Sequence, residues 1–134
     1  MMRLDSYIGD LIEALKKSGK YDNTFIVYIG DHGADILRGK RTSYEGGVQI
    51  PMILSWPGKN LNFKRLKELV STIDLYPTFL DVAGLPIPEY LPGKSLLPLL
   101  NEKKINWRNT DDLHPHNPPR YHQTHDNLIQ TILL

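Results

Sequence analysis

Apolar positions Leu4, Ile8, Leu11, Ile12 and Leu15 recur at spacings of three and four, which predicts an amphipathic helix over residues 3–18. Lys16 and Lys17 suit the negative end of its dipole, and Gly19 can stop it. Tyr21-Asp22-Asn23 reads as a turn. The pattern then changes to a continuous β-branched and aromatic run, Thr24 to Ile29, as in a strand covered on both faces in a parallel sheet. That strand ends at Gly30-Asp31-His32-Gly33. Residues 34–47 keep no steady period and form a loop of a length that is often functional. Val48 to Ser55 predicts a second strand, with Pro51 at an edge position or a bulge because proline cannot donate to a ladder. Trp56-Pro57-Gly58-Lys59 is a turn, and Leu66 to Thr72 is open between strand and helix. Asp74 can N-cap a helix that carries Pro77 in its first turn and closes at Gly84. Ser95 to Leu100 fits one short helical turn.

The pattern fails near Ile105. Residues 109–126 hold His114, His116, His122 and His125 among prolines and asparagines, with almost no aliphatic side chains. The expected organisation is therefore a folded part over residues 1–104 and a poorly ordered or atypical tail over residues 105–134.

Composition narrows the classes. A chain of 134 residues fits one domain. Its 40% hydrophobic and 23% charged content is that of a globular chain, not of a disordered, collagenous or coiled-coil one. A net charge of +1 gives no basis for a nucleic-acid partner. Cysteine is absent, so this chain carries no disulfide, zinc-thiolate site or cysteine nucleophile. The apolar runs are too short for a membrane span, and the amphipathic opening Met-Met-Arg-Leu-Asp-Ser-Tyr is not a signal peptide.

Two constellations can carry chemistry. Asp31 and His32 leave the C-terminal end of a strand together, the edge where open α/β sheets bind ligands. They read as metal ligands or, more simply, as an Asp-His pair capping a turn. Arg38, Lys40 and Arg41 lie within a loop folded back by Gly39, Gly46 and Gly47. That loop suits a small dianion such as sulfate or phosphate, or is a solvated basic loop. The phosphate-binding Gly-x-x-x-x-Gly-Lys-Ser/Thr spacing is absent. The four tail histidines can bind transition metals, but lying between prolines they read as a solvated tail.

The order and spacing of these segments resemble the sulfatase family of the alkaline-phosphatase superfamily. The resemblance is carried by Asp22-Asn23-Thr24, the strand, Asp31-His32-Gly33, Gly39-Lys40-x-Thr42-x-Tyr44-Glu45-Gly46-Gly47-Val48-x-x-Pro51 and Trp56-Pro57-Gly58. It continues in Ile73-Asp74-Leu75-x-Pro77-Thr78-x-Leu80-x-x-Ala83-Gly84 and Leu91-x-Gly93-x-Ser95-Leu96-x-Pro98-Leu99-Leu100. It covers residues 3–100 and implies the C-terminal part of an α/β catalytic core, with a mostly parallel sheet flanked by helices. The short link between Gly33 and Gly39 leans toward N-sulfoglucosamine sulfohydrolase-like members.

The resemblance implies roles residue by residue. Asp31 matches an aspartate that binds an active-site calcium, and His32 matches the adjacent ligand. Calcium prefers oxygen ligands, so Asp31 is the firmer of the two. Lys40 matches the catalytic lysine that contacts the sulfate and its leaving oxygen. Tyr44, Glu45, Gly46 and Gly47 match a motif that shapes the loop presenting that lysine. Gln49 stands where the family has arginine. The family's formylglycine nucleophile arises from Cys or Ser in Cys/Ser-x-Pro-x-Arg, a motif this sequence lacks. The implied activity is hydrolysis of sulfate esters or sulfamates, of carbohydrates first, by a site that this chain holds only in part. The chain alone is expected to be inactive, and a partner chain is the expected source of missing core. A phosphodiesterase or phosphonate hydrolase of the superfamily, or a non-catalytic remnant, is the alternative.

Overall fold

The computed structural model describes residues 2–33, 40, 45–59, 61, 65–108 and 129–133. Helix α1, Met2–Lys17, matches the predicted amphipathic segment. It ends because Gly19 takes φ 69°, which lets Gly19 N–H donate to Lys16 O and Lys20 N–H to Leu15 O. Strand β1 is Ile26–Ile29 and strand β2 is Ile50–Ser55, with the single turn α2, Glu45–Val48, just before β2. Strand β3 is Arg65–Leu66, followed by helix α3, Leu75–Val82, and the short helix α4, Leu97–Leu100. Gly84 at φ 68° closes α3 as Gly19 closes α1, through Gly84 N–H to Asp81 O and Leu85 N–H to Leu80 O. Strand β4 is Ile129–Leu133.

The sheet order is β1-β2-β4-β3. The α/β class stands, but a mostly parallel sheet does not describe these strands. β1 pairs antiparallel with β2, β3 pairs antiparallel with β4, and only β2 and β4 run parallel. The reason is local: the chain leaves β1 at Gly30 and re-enters beside it, with Gly30 N–H donating to Pro51 O at 3.0 Å.

Pro51 is likewise not on an edge strand, since β2 lies between β1 and β4. In an antiparallel ladder the N–H and C=O of one residue face the same neighbour. The Pro51 carbonyl faces Gly30, so its missing N–H does too, at the last rung of the β1–β2 ladder. One bond is lost and none is lost toward β4. Gly30 leaves room for the ring; a Cβ there would lie 3.1 Å from Pro51 Cδ.

Alternation sorts the sheet into two faces. Ile50, Met52 and Leu54 are buried on one, where they join Leu66, Val70, Leu96, Leu99 and Leu100, with Phe25 and Val27 packed against them. On the other face Ile26, Tyr28, Ile53 and Ser55 form a groove with Ile8 and Ile12 of α1. Leu4, Tyr7 and Leu11 on α1 remain exposed.

A buried polar knot ties the segments after β3 together. Asp74 was expected to cap α3, but its side chain makes no such bond. Its carboxylate instead accepts from Ser71 N–H at 2.9 Å, from Lys94 N–H at 2.8 Å and from the Arg108 guanidinium. Thr78 Oγ1 accepts from Leu96 N–H at 2.9 Å, and Ser95 Oγ donates to Asp81. Gly93 must be glycine here, because a Cβ would come within 2.1 Å of Ile73 O. Trp107 Nε1 donates to Leu69 O at 2.7 Å.

These contacts bear on the expected tail over residues 105–134. Trp107 and Arg108 are anchored, and Ile129–Leu133 pair between β2 and β3. Residues 109–128, with the four tail histidines, lie outside the described residues.

Candidate functional site

The C-terminal end of β1 delivers Asp31 and His32 side by side. His32 Nδ1 lies 2.7 Å from Gly33 O. A carbonyl oxygen only accepts, so Nδ1 carries a proton. Nε2 faces Asp31 Oδ2 at 3.5 Å. The Asp31 carboxylate and the second ring nitrogen thus lie side by side just past the end of β1. Asp31 is 89% exposed and His32 37% exposed, so both are open to a ligand.

The loop after them is closed at its base. Gly33 N–H donates to Gly47 O at 3.1 Å. A Cβ on Gly33 would fall 2.0 Å from Gly46 O, so only glycine allows this approach. Both ends of the loop therefore meet beside His32. Lys40, midway along it, sits in a turn and is half-buried. Arg38, Gly39, Arg41, Thr42, Ser43 and Tyr44 lie outside the described residues. Gly46 and Gly47 thus lie at the closed base of the loop.

Among the described residues no group of three or more His, Cys, Asp and Glu side chains gathers as a metal cluster. Asp31 and His32 are a pair of donors, and a calcium ion takes about 6–8 oxygen ligands. The pair can supply only part of such a ligand set, one carboxylate and one ring nitrogen.

Sequence reasoning missed the polar knot, although Asp74, Thr78, Gly93 and Ser95 all belong to the quoted motifs. Their spacing shows that they recur in order. It does not show that Asp74 reaches Lys94 and Arg108, respectively 20 and 34 residues away. These residues tie α3 to the segment before α4 and to Arg108.

Comparisons with known proteins place the chain in a family. The model of the family described as Sulfatase matches residues 1–85. The chain is 37% identical over 115 residues to arylsulfatase K of Canis lupus familiaris, a match covering 83% of this chain and 21% of that protein. The solved structure of BT4656 in complex with its substrate D-glucosamine-2-N,6-O-disulfate aligns with a TM-score of 0.62 at 32% identity, over 81% of this chain and 23% of that one. Phosphonate monoester hydrolase SpPMH from Silicibacter pomeroyi aligns with a TM-score of 0.67 at 37% identity, over 78% of this chain and 22% of that one. The chain spans about a fifth of the length of each of these three proteins.

Proposed function

Because this chain belongs to the sulfatase family, we propose that it supplies one part of the active site of a hydrolase that cleaves sulfate esters or sulfamates, with carbohydrates as the substrate class. The observation that carries this reading is the Gly33–Gly47 hydrogen bond, which closes the Lys40 loop beside the Asp31–His32 pair.

Asp31 and His32 hold a divalent cation in this reading, calcium by the family's pattern. The bound ion supplies a Lewis acid and a counter-charge for sulfate oxygens. Asp31 contributes its carboxylate, and His32 the Nε2 lone pair that the Gly33 carbonyl fixes in place. Lys40 binds a sulfate oxygen and offsets charge developing on the leaving oxygen, an effect on the order of a few kcal/mol per group. The formylglycine nucleophile and the remaining ligands belong to the rest of the catalytic domain. The sulfated glucosamine bound by BT4656 supports a carbohydrate substrate.

The likeness to a phosphonate monoester hydrolase favours a second reading, hydrolysis of phosphonate monoesters or phosphodiesters at the same residues. One comparison separates the two. This chain is substituted for the stretch it matches in arylsulfatase K, and aryl sulfate, phosphodiester and phosphonate monoester are assayed side by side. Faster sulfate turnover is expected, and the 134-residue chain alone is expected to be inactive. Faster phosphodiester or phosphonate turnover assigns the second reading, and no turnover of any substrate leaves a non-catalytic remnant.

A further inference from the structure

We propose that β4 is a strap for the Lys40 loop: its pairing with β2 holds the strand end from which Gly47 closes that loop, so the two connections form and open together. The inference rests on the loop geometry and not on the catalytic reading.

Residues 47–52 are held from two sides. On one side lie the end of β1 and the turn after it. Gly33 N–H donates to Gly47 O at 3.1 Å, and Gly30 N–H to Pro51 O at 3.0 Å. On the other side lies β4, whose parallel register starts with Ile50 opposite Ile129 and runs to Leu54 opposite Leu133. Only Val48 and Gln49 separate Gly47 from the first rung of that ladder.

Backbone alternation decides which neighbour each residue serves. Pro51 and Ile53 turn their polar main-chain groups to β1, as the Gly30–Pro51 bond and the Tyr28–Ile53 pairing require. Ile50, Met52 and Leu54 therefore turn theirs to β4, and Gln130 and Ile132 face them in that register. Among the described strands β4 is the only one on that side of β2. With β4 paired, the strand end beyond Gly47 is fixed from both flanks. With β4 released, it is held from β1 alone.

β4 is suited to dock and release as a unit. Its sequence Ile-Gln-Thr-Ile-Leu carries no charge and is rich in β-branched residues, which favours a ladder. The two strands that flank it are also joined through side chains, since Ile50, Met52, Leu54 and Leu66 share one buried cluster. Trp107 and Arg108 hold the chain before residue 109 to Leu69 and Asp74. Release of β4 breaks its ladders and leaves those contacts in place. β4 also lies beyond residues 1–85, which the family model matches, so the strap is a feature outside that match.

The test is amide exchange on the full chain, read by NMR at increasing urea. Gln130, Ile132 and Gly33 amides should share one opening free energy and one urea slope, both smaller than those of Tyr28 in the β1–β2 ladder. A cross-link supplies the second arm, since the chain has no cysteine to compete. Ile53 and Ile132 are register partners on neighbouring strands, a separation that suits a disulfide. In Ile53→Cys/Ile132→Cys, oxidation should slow Gly33 exchange by roughly 10-fold or more against the same protein reduced. A Gly33 amide that opens with a slope of its own, that follows Tyr28, or that ignores the cross-link would overturn the proposal. Thiols that do not join on oxidation would overturn it too, because the strands would then not be paired. Should the variant fail to fold, the urea slopes of the unsubstituted chain decide alone. Turnover is not read, so a failed catalytic reading leaves this result standing.

Discussion

Arg108 donates through Nη2 to Oδ1 of Asp74, 34 residues earlier, and both side chains are buried. The same carboxylate holds Ser71 N–H and Lys94 N–H, so one aspartate joins the start of α3, the segment before α4 and the chain beyond it. Removing either ion leaves a buried charge, but the two removals are unequal. Without Arg108 the carboxylate keeps two backbone donors. Without Asp74 all three donors lose their partner.

Asp74→Ala should therefore cost about 3–5 kcal/mol, the range for breaking a buried pair from one side. Arg108→Met, which keeps apolar bulk, should cost clearly less. Urea unfolding of the two variants checks this. Equal losses would mean that the backbone bonds to Asp74 contribute little.

Glycines at close approaches should behave differently from glycines in open space. Gly93→Ala forces a Cβ against Ile73 O, and Gly33→Ala forces one against Gly46 O. Each should destabilise by about 1–3 kcal/mol. Gly9, inside α1, has nothing within 4 Å of a built Cβ. Gly9→Ala should stabilise by roughly 0.5–1 kcal/mol. Thermal unfolding of the three variants gives the signs, and a destabilising Gly9→Ala would contradict the exposed placement of that helix face.

What the sequence made legible follows from how local each signal is. The stripe from Leu4 to Leu15 and the stop at Gly19 are contained within a few turns, and α1 forms where they predict it. Asp31, His32 and Lys40 could be singled out as candidates because they fall on one strand end and the loop that follows. Strand direction was not readable in that way. The run Thr24 to Ile29 looks buried on both faces, which suggests parallel neighbours, yet the Gly30–Pro51 closure makes β2 antiparallel. The Asp74 knot was also out of reach, since its partners are separated by long stretches whose only common property is that they meet.

The Asp31–His32 pair should be the first place a divalent cation is felt among the described residues. In a Mn2+ titration followed by proton NMR, the His32 ring signals should broaden before those of the tail histidines. Asp31→Asn should reduce that broadening at equal Mn2+. Broadening centred on His114, His116, His122 and His125, with His32 untouched, would place cation affinity in the tail.

Asp31, His32 and Lys40 are proposed to belong to one sulfate-cleaving site. The most direct measurement is aryl sulfate turnover by arylsulfatase K carrying this chain in place of the stretch it matches, with and without Lys40→Ala. Loss of one well-placed cation at a developing charge lowers kcat by about 100–1,000-fold. A loss in that range with unchanged thermal unfolding is expected. Turnover that survives Lys40→Ala undiminished would take Lys40 out of the sulfate-cleaving site.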